Sequence, residues 1–232
     1  MKNHPVYGNV IIFGASSGIG LAAAEYFQDK CQNLFTVSRR PSPFGKWIAS
    51  DLAQAQEIEK LRQVLSDQPI DALLYLGGTW EKGAFTEEYD FEHCTDADLE
   101  NVLNVNLLAP IRVVQKLLPN LKKSEHSKII LMGAALDSLD HKAYREVANT
   151  SSKYGLKGMV AALRQSLKPY SIGVSLINPG NVATAEVIHD LESMGLDASY
   201  AIPISDLLRI MEMILQLSNR SNINEIDLPS MR

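Results

Sequence analysis

Short apolar runs rich in β-branched residues recur along the chain, and most are followed by stretches with apolar residues at three- and four-residue spacing. Residues 9–13, Asn-Val-Ile-Ile-Phe, read as a strand buried on both faces, and residues 21–27 as a helix of good helix formers. Residues 33–37, 46–50 and 71–76 predict the second, third and fourth strands, with a helix over 54–65 between the last two. A long helix is expected over 97–118, a fifth strand over Lys128–Met132 and a sixth over 172–177. Between those two strands, the stretch after Asn149 reads as a helix. Ser205 or Asp206 is placed to open a further helix reaching Leu217, and residues 224–229 give a seventh strand. Apolar strands alternating with amphipathic helices predict an α/β fold whose parallel sheet is covered on both faces.

Composition narrows the picture. At 232 residues the chain is long enough to bury one full core, so residues 1–232 are expected to form a single domain. A net charge of −5, with no basic run beyond pairs such as Arg39-Arg40 and Lys122-Lys123, argues against nucleic acid as a partner. No window is apolar enough for a membrane span, and Met1-Lys2-Asn3-His4-Pro5 lacks the apolar segment of a signal peptide. Two scattered cysteines, Cys31 and Cys94, fit reduced thiols in a cytoplasmic protein. His93 and Cys94 are adjacent, yet no further ligand pair stands at metal spacing, so no metal site is expected.

The candidate chemistry begins directly after the first strand, at Gly14-Ala15-Ser16-Ser17-Gly18-Ile19-Gly20. Strand, glycine turn and helix together make a phosphate cradle, because free N–H groups and the positive end of the helix dipole face the anion. Gly14 permits the tight turn, Gly18 lets backbone approach a pyrophosphate and Gly20 lets the helix pack close; a bland glycine-rich turn is the competing reading. The second strand ends at Ser38-Arg39-Arg40. Nucleotide folds that prefer NAD place a carboxylate there for the ribose 2′-hydroxyl, whereas an arginine offers a charged fork to the extra phosphate of NADP. NADP is therefore expected over NAD, against the alternative of a solvated loop ahead of Pro41 and Pro43.

The G-x-x-x-G-x-G spacing with Ala-Ser-Ser inside it closely resembles the short-chain dehydrogenase/reductase family, and further motifs extend that resemblance over essentially the whole chain. It implies a Rossmann-type three-layer α/β/α sandwich with a seven-stranded parallel sheet in the order 3-2-1-4-5-6-7. It also implies a small carbonyl or alcohol substrate, and a homodimer or homotetramer assembled through the helices carrying Asn106 and Lys153. Asp51, followed by Leu52, matches the family's adenine-edge aspartate; the same carboxylate is a candidate N-cap for the helix over 54–65. Where relatives carry Asn-Asn-Ala-Gly, this chain has Tyr75-Leu76-Gly77-Gly78, keeping only the small pair beside the cofactor. Pro179-Gly180-Asn181-Val182-Ala183-Thr184 resembles the segment whose backbone meets the nicotinamide carboxamide and whose threonine reaches amide or phosphate. Residues 186–194 then match the mobile substrate-side segment.

The proton-transfer groups depart from the family. Asn106, in Asn104-Val105-Asn106-Leu107, matches the tetrad asparagine, whose helix is locally distorted in relatives. Lys153 matches the catalytic lysine, but the tyrosine four positions earlier is Asn149, and the serine past the fifth strand is matched by Ala134. Ser138 would approach only if its loop folded back. The only literal Y-x-x-x-K, Tyr26 to Lys30, falls in the first helix, away from the expected site. Tyr154 follows Lys153 directly and points about 100° away around the helix. Tyr144, at the helix entrance, is the best-placed substitute phenol. Residues 79–96, with Trp80, Phe85, Tyr89 and Phe91, read either as a substrate wall or partner surface, or as a surface loop pinned by its aromatics. Two functions remain open: an oxidoreductase with an atypical site, or a catalytically silent NADP sensor or subunit.

Overall fold

The computed structural model describes residues 6–135 and 144–231. Seven strands form one sheet in the order β3-β2-β1-β4-β5-β6-β7. They are β1 (Tyr7–Phe13), β2 (Cys31–Ser38), β3 (Lys46–Ala49), β4 (Ala72–Tyr75), β5 (Lys128–Met132), β6 (Gly173–Pro179) and β7 (Glu225–Leu228). Every pairing is parallel, and Ile11 lies opposite Phe35 on one side and Leu73 on the other. The strand order reverses between β1 and β4, which opens a crevice at the carboxyl ends of those strands.

Strand alternation divides the core in two. Ile11 and Phe13 face a layer holding α2 (Ala55–Leu65), α4 (Ala109–Leu121) and α5 (Val147–Leu167). Val10 and Ile12 face α1 (Gly18–Gln28) and α7 (Ile204–Gln216). A strand covered on both faces has no solvent side, which is why β1 reads as an unbroken apolar run rather than an alternating one. Ile11 and Phe13 are fully buried; truncating either to alanine is expected to cost roughly 2–5 kcal/mol. Tyr26 and Lys30 both bond Glu212, at 2.5 and 2.8 Å, tying α1 to α7. Among the described residues no helix is long and apolar enough to cross a membrane.

Three boundaries differ from the sequence reading. The helix expected over 97–118 is α3 (Asp96–Leu103), a π-helical turn (Asn104–Leu108) and then α4. Thr95 opens α3, its side chain accepting from the Asp98 N–H. The π turn is held from the sheet: the Tyr75 hydroxyl donates to the Val105 carbonyl at 2.6 Å, while its ring stacks on Phe13. A π turn breaks the regular ladder and frees such a carbonyl for an outside donor. The α7 helix opens at Ile204 after Pro203, whose fixed φ suits a helix entrance, rather than at Ser205 or Asp206. Residues 186–194 lie largely in α6 (Ala185–Ser193), capped by the Thr184 hydroxyl.

Candidate functional site

The turn after β1 is shaped by two close approaches. Gly14 takes φ of 84°, and a Cβ there would sit 2.5 Å from the Gly77 Cα. A Cβ on Gly20 would lie 2.1 Å from the Gly14 carbonyl oxygen, so the first turn of α1 rests directly on the strand end. Any side chain at either position would wedge backbone apart. Ser17 caps α1 by position but makes no side-chain capping bond. The Gly18 N–H donates instead to Glu186 Oε1 at 3.2 Å, from the first turn of α6. A carboxylate therefore stands at the helix N-terminus, on a donor suited to an anion.

A cavity of about 430 Å³ runs from this turn across the carboxyl ends of the strands. Gly14, Ser16, Ser17, Gly18, Ile19 and Gly20 form its floor. Ser38, Arg39 and Arg40 line one end, with Asp51 and Leu52 beside them. Gly77 and Gly78 line the middle, where the Leu52 side chain would touch a Cβ on Gly77 at 3.1 Å. Pro179, Gly180, Val182 and Thr184 line the far wall together with Lys153 and Ala134.

Within that cavity the basic end is open. The Ser38 hydroxyl donates to the Arg40 carbonyl at 2.7 Å and so fixes the turn carrying both arginines. Among the described residues neither guanidinium has a hydrogen-bond or ion-pair partner. Asp51 Oδ1 accepts from the Ala53 N–H at 3.1 Å, while its own N–H donates to Glu57 Oε2 at 2.6 Å. Its carboxylate thus closes a turn ahead of α2 and does not cap that helix, because Gln54 occupies the N-cap position.

The other end is closed on itself. Asn106 Oδ1 accepts from the Thr79 N–H at 2.9 Å, and Nδ2 donates to the Thr79 carbonyl at 2.9 Å and to Ser152 Oγ at 3.2 Å. Asn149 Nδ2 donates to the same Thr79 carbonyl at 3.2 Å. Asn149 is 0% exposed, and neither it nor Asn106 lines the cavity. The side chains of Asn106 and Asn149 therefore both fix the strand-to-loop connection at Thr79, and Asn106 lies in the π turn, the local distortion that the family resemblance implies for its helix. Lys153 does reach the cavity, where its Nζ donates to the Met132 carbonyl at 3.3 Å. Burial lowers its pKa from 10.5 to about 8, since the ammonium is less well solvated than in water.

Tyr144 also lines the cavity. Burial raises its phenol pKa, and the neighbouring Glu146 carboxylate adds to the rise. Lys153 has no part in that shift, so it does not supply Tyr144 with the cationic partner that makes a phenol a ready acid near neutral pH. Ser138 lies outside the described residues. Tyr26 lies on α1 and Lys30 just beyond its end, not within the helix; Lys30 Nζ lies 3.5 Å from the Tyr26 ring centroid, and neither residue lines this cleft.

Glu81 and Glu146 were not visible as site residues. Glu81 is buried, and its Oε1 accepts from the N–H groups of Ala148 and Asn149 at 2.6 and 3.0 Å. The Tyr89 hydroxyl accepts from the Val147 N–H at 3.1 Å. The N-terminus of α5, the helix carrying Lys153, is thus capped by the loop after β4. Glu146 Oε1 in return accepts from the Phe85 N–H at 2.8 Å. No local pattern connects an acid in that loop to a helix 67 residues away.

The sequence model of the short chain dehydrogenase family matches residues 8–193. The chain belongs to that family. A 3-ketodihydrosphingosine reductase of Bacteroides thetaiotaomicron is 24% identical over 212 residues, covering 88% of this chain and 75% of the relative. Among solved structures, a short chain dehydrogenase of Shigella flexneri complexed with NADP is similar at a TM-score of 0.81, with 17% identity and 100% coverage of both chains. A 4-hydroxyisoleucine dehydrogenase complexed with NADH is similar at 0.77, with 20% identity, covering 96% of this chain and 97% of the other. These likenesses agree with the sheet order and the two helical layers seen here. For a short-chain dehydrogenase, the site is lopsided: the glycine turn and lysine face the cleft, while Asn149 and Ala134 stand where the sequence resemblance places tyrosine and serine.

Proposed function

We propose that the protein binds NADP(H) in the 430 Å³ cleft and acts on a small carbonyl or alcohol through an atypical site. The observation that carries this reading is the pair of guanidiniums, Arg39 and Arg40, without an ion-pair or hydrogen-bond partner among the described residues, at the end opposite Lys153. An extra phosphate beside the ribose would find charge there without displacing an existing ion pair. The cofactor would supply the hydride. Around it, this chain's residues would hold charge and exclude water: the Gly18 N–H, once released from Glu186, and the Ser17 hydroxyl would meet phosphate, and Lys153 would meet the far end. NADP is favoured over NAD on the arginines alone, since similar folds occur with both.

Proton transfer then falls to Tyr144 or to water, because Ala134 carries no donor and Asn149 is turned away from the cleft. That same burial favours a second reading, a protein that binds NADP(H) as a sensor or silent subunit. Titration with NADPH and NADH separates cofactor choice, with NADPH expected to bind at least tenfold tighter. Single-turnover oxidation of NADPH with neutral ketones and aldehydes then separates the two functions. Activity abolished in Tyr144→Phe assigns the phenol; activity insensitive to it assigns water; no turnover in any case assigns the sensor. We further propose a homodimer or homotetramer, supported by the exposed apolar side chains Leu108 and Ile111 on the π turn and α4 and Tyr154 on α5. Sedimentation at micromolar concentration tests it, and a monomer overturns it.

A further inference from the structure

A second cavity, of about 890 Å³, opens beyond the cofactor cleft and shares Trp80, Tyr144, Asn181 and Val187 with it. Its wall is an aromatic cluster. Trp80 and Phe85 meet edge to face with centroids 4.6 Å apart, and Phe85 meets Tyr144 in the same manner at 5.6 Å. All three remain roughly two-fifths exposed, at 42%, 40% and 38%. Three large rings held edge to face yet each two-fifths exposed leave aromatic surface available to a guest in the cavity.

This cluster is constructed at a cost. Phe85 takes φ of 64°, a left-handed backbone that a bulky residue rarely adopts. Its N–H is held there by the buried Glu146 carboxylate, at 2.8 Å.

The charge around the cavity is one-sided. Four carboxylates line it, those of Glu81, Glu87, Glu146 and Asp190, against the single guanidinium of Arg145. Glu81 and Glu146 accept backbone N–H groups, and Arg145 donates to the Tyr89 carbonyl at 2.9 Å while lying over the Tyr89 ring. Glu87 and Asp190 are exposed, and among the described residues neither carboxylate has a hydrogen-bond or ion-pair partner. The stretch between Ala135 and Tyr144 carries two aspartates and one lysine in sequence, so its composition adds no excess of positive charge. Leu191, Met194 and Leu196 make the opposite, apolar side.

Aromatic faces beside unpaired carboxylates, with an apolar floor, are the chemistry that recognises an organic cation. We propose that this cavity is the substrate site and takes an apolar carbonyl or alcohol compound bearing a cationic nitrogen, held by Trp80, Phe85 and Tyr144. The inference rests on the NADP(H)-dependent reading above. It excludes carboxylates and phosphate-bearing acyl carriers, which would face unpaired carboxylates.

Calorimetric titration tests it with three ketones sharing one aryl-alkyl frame and ending in trimethylammonium, tert-butyl or carboxylate. The NADPH-loaded protein is used, and NADPH binding is measured first on the same preparation. The ammonium ketone is expected to bind about tenfold tighter than its tert-butyl isostere and the carboxylate at least tenfold weaker than that isostere. Phe85→Leu removes a π face and keeps apolar volume, so it should erase most of the ammonium advantage and change tert-butyl affinity less than about threefold. Should that variant fail to fold, Glu87→Gln with Asp190→Asn, both on the surface, must narrow the gap between ammonium and carboxylate. Equal affinity for all three ketones, tightest binding of the carboxylate, or binding of none overturns the proposal. Failure to bind NADPH would instead overturn the cofactor reading.

Discussion

The two ends of the cofactor cleft treat their polar groups in opposite ways. At the glycine-turn end, the Ser17 side chain makes no capping bond and Arg39 and Arg40 are unpartnered among the described residues. At the α5 end, Asn106, Asn149, Ser152, Thr79 and Glu81 are linked by hydrogen bonds, and of the positions matched to the family's proton-transfer groups on α5 only Lys153 faces the cavity. Groups held available for a ligand raise the free energy of the empty protein. Groups bonded internally stabilise it and are lost to chemistry. The comparison therefore describes a chain in which cofactor recognition and proton transfer have come apart, although both are built on the same strand ends.

The strongest way to break that contrast is to restore the missing donors. Ala134→Ser with Asn149→Tyr should raise NADPH oxidation by a neutral ketone about 10²–10⁴-fold, the usual worth of general acid catalysis. No rise despite intact NADPH binding would mean that the Thr79 connection blocks the phenol as well. Lys153 offers a second test. Its folded pKa of about 8 lies below the ordinary 10.5, so between those values the unfolded chain binds more proton. Stability from this group should accordingly increase as pH climbs from about 8 to 10.5, by up to about 3 kcal/mol, and Lys153→Met should remove the increase. Urea unfolding of both proteins across that range measures the difference.

Arg39→Asp probes the open end. NADPH affinity should fall roughly 10–100-fold, as expected for a charge-assisted bond replaced by repulsion, with NADH nearly unchanged. Equal losses for both cofactors would place Arg39 away from the extra phosphate. The smallest effect is expected at Glu186, whose carboxylate occupies the Gly18 N–H. Glu186→Gln should tighten NADPH binding about three- to tenfold, because a charged competitor near the phosphate site is removed. Weaker binding would show that Glu186 supports the bound state instead.

The fold was readable because its signals are local. Apolar strands, the glycine turn and helical spacing each act within about ten residues, and the sheet order follows from the family motifs they carry. Arg39, picked from its place at the end of the second strand, and Asp51 and Pro179, picked from the family resemblance, all line the cavity. What escaped was long-range hydrogen bonding. The side chains of Asn106 and Asn149 both turn to Thr79, 27 and 70 positions away, a pairing that no local pattern carries. Tyr75, which stands where relatives carry the first asparagine, donates to the Val105 carbonyl and braces the π turn, 30 positions away. Asp51 closes its own turn because Glu57 takes its N–H and Gln54 lies nearer the helix start.

The cap on α5 bears on the order of assembly. A helix whose first three N–H groups are, among the described residues, satisfied by Tyr89 and Glu81 cannot complete its own entrance while the chain between them is still diffusing. The closing span is 67 residues, and the cost of bringing such distant groups together is met before the contact rewards it. The Lys153 turn should therefore become protected late, after the central strands have paired, and open earliest under native conditions. Slow-exchange amides should be found on β1 and β4, with Ala148 and Asn149 exchanging through a smaller, local opening. The part of the cleft nearest the lysine is then set last, by the same loop that forms the aromatic wall.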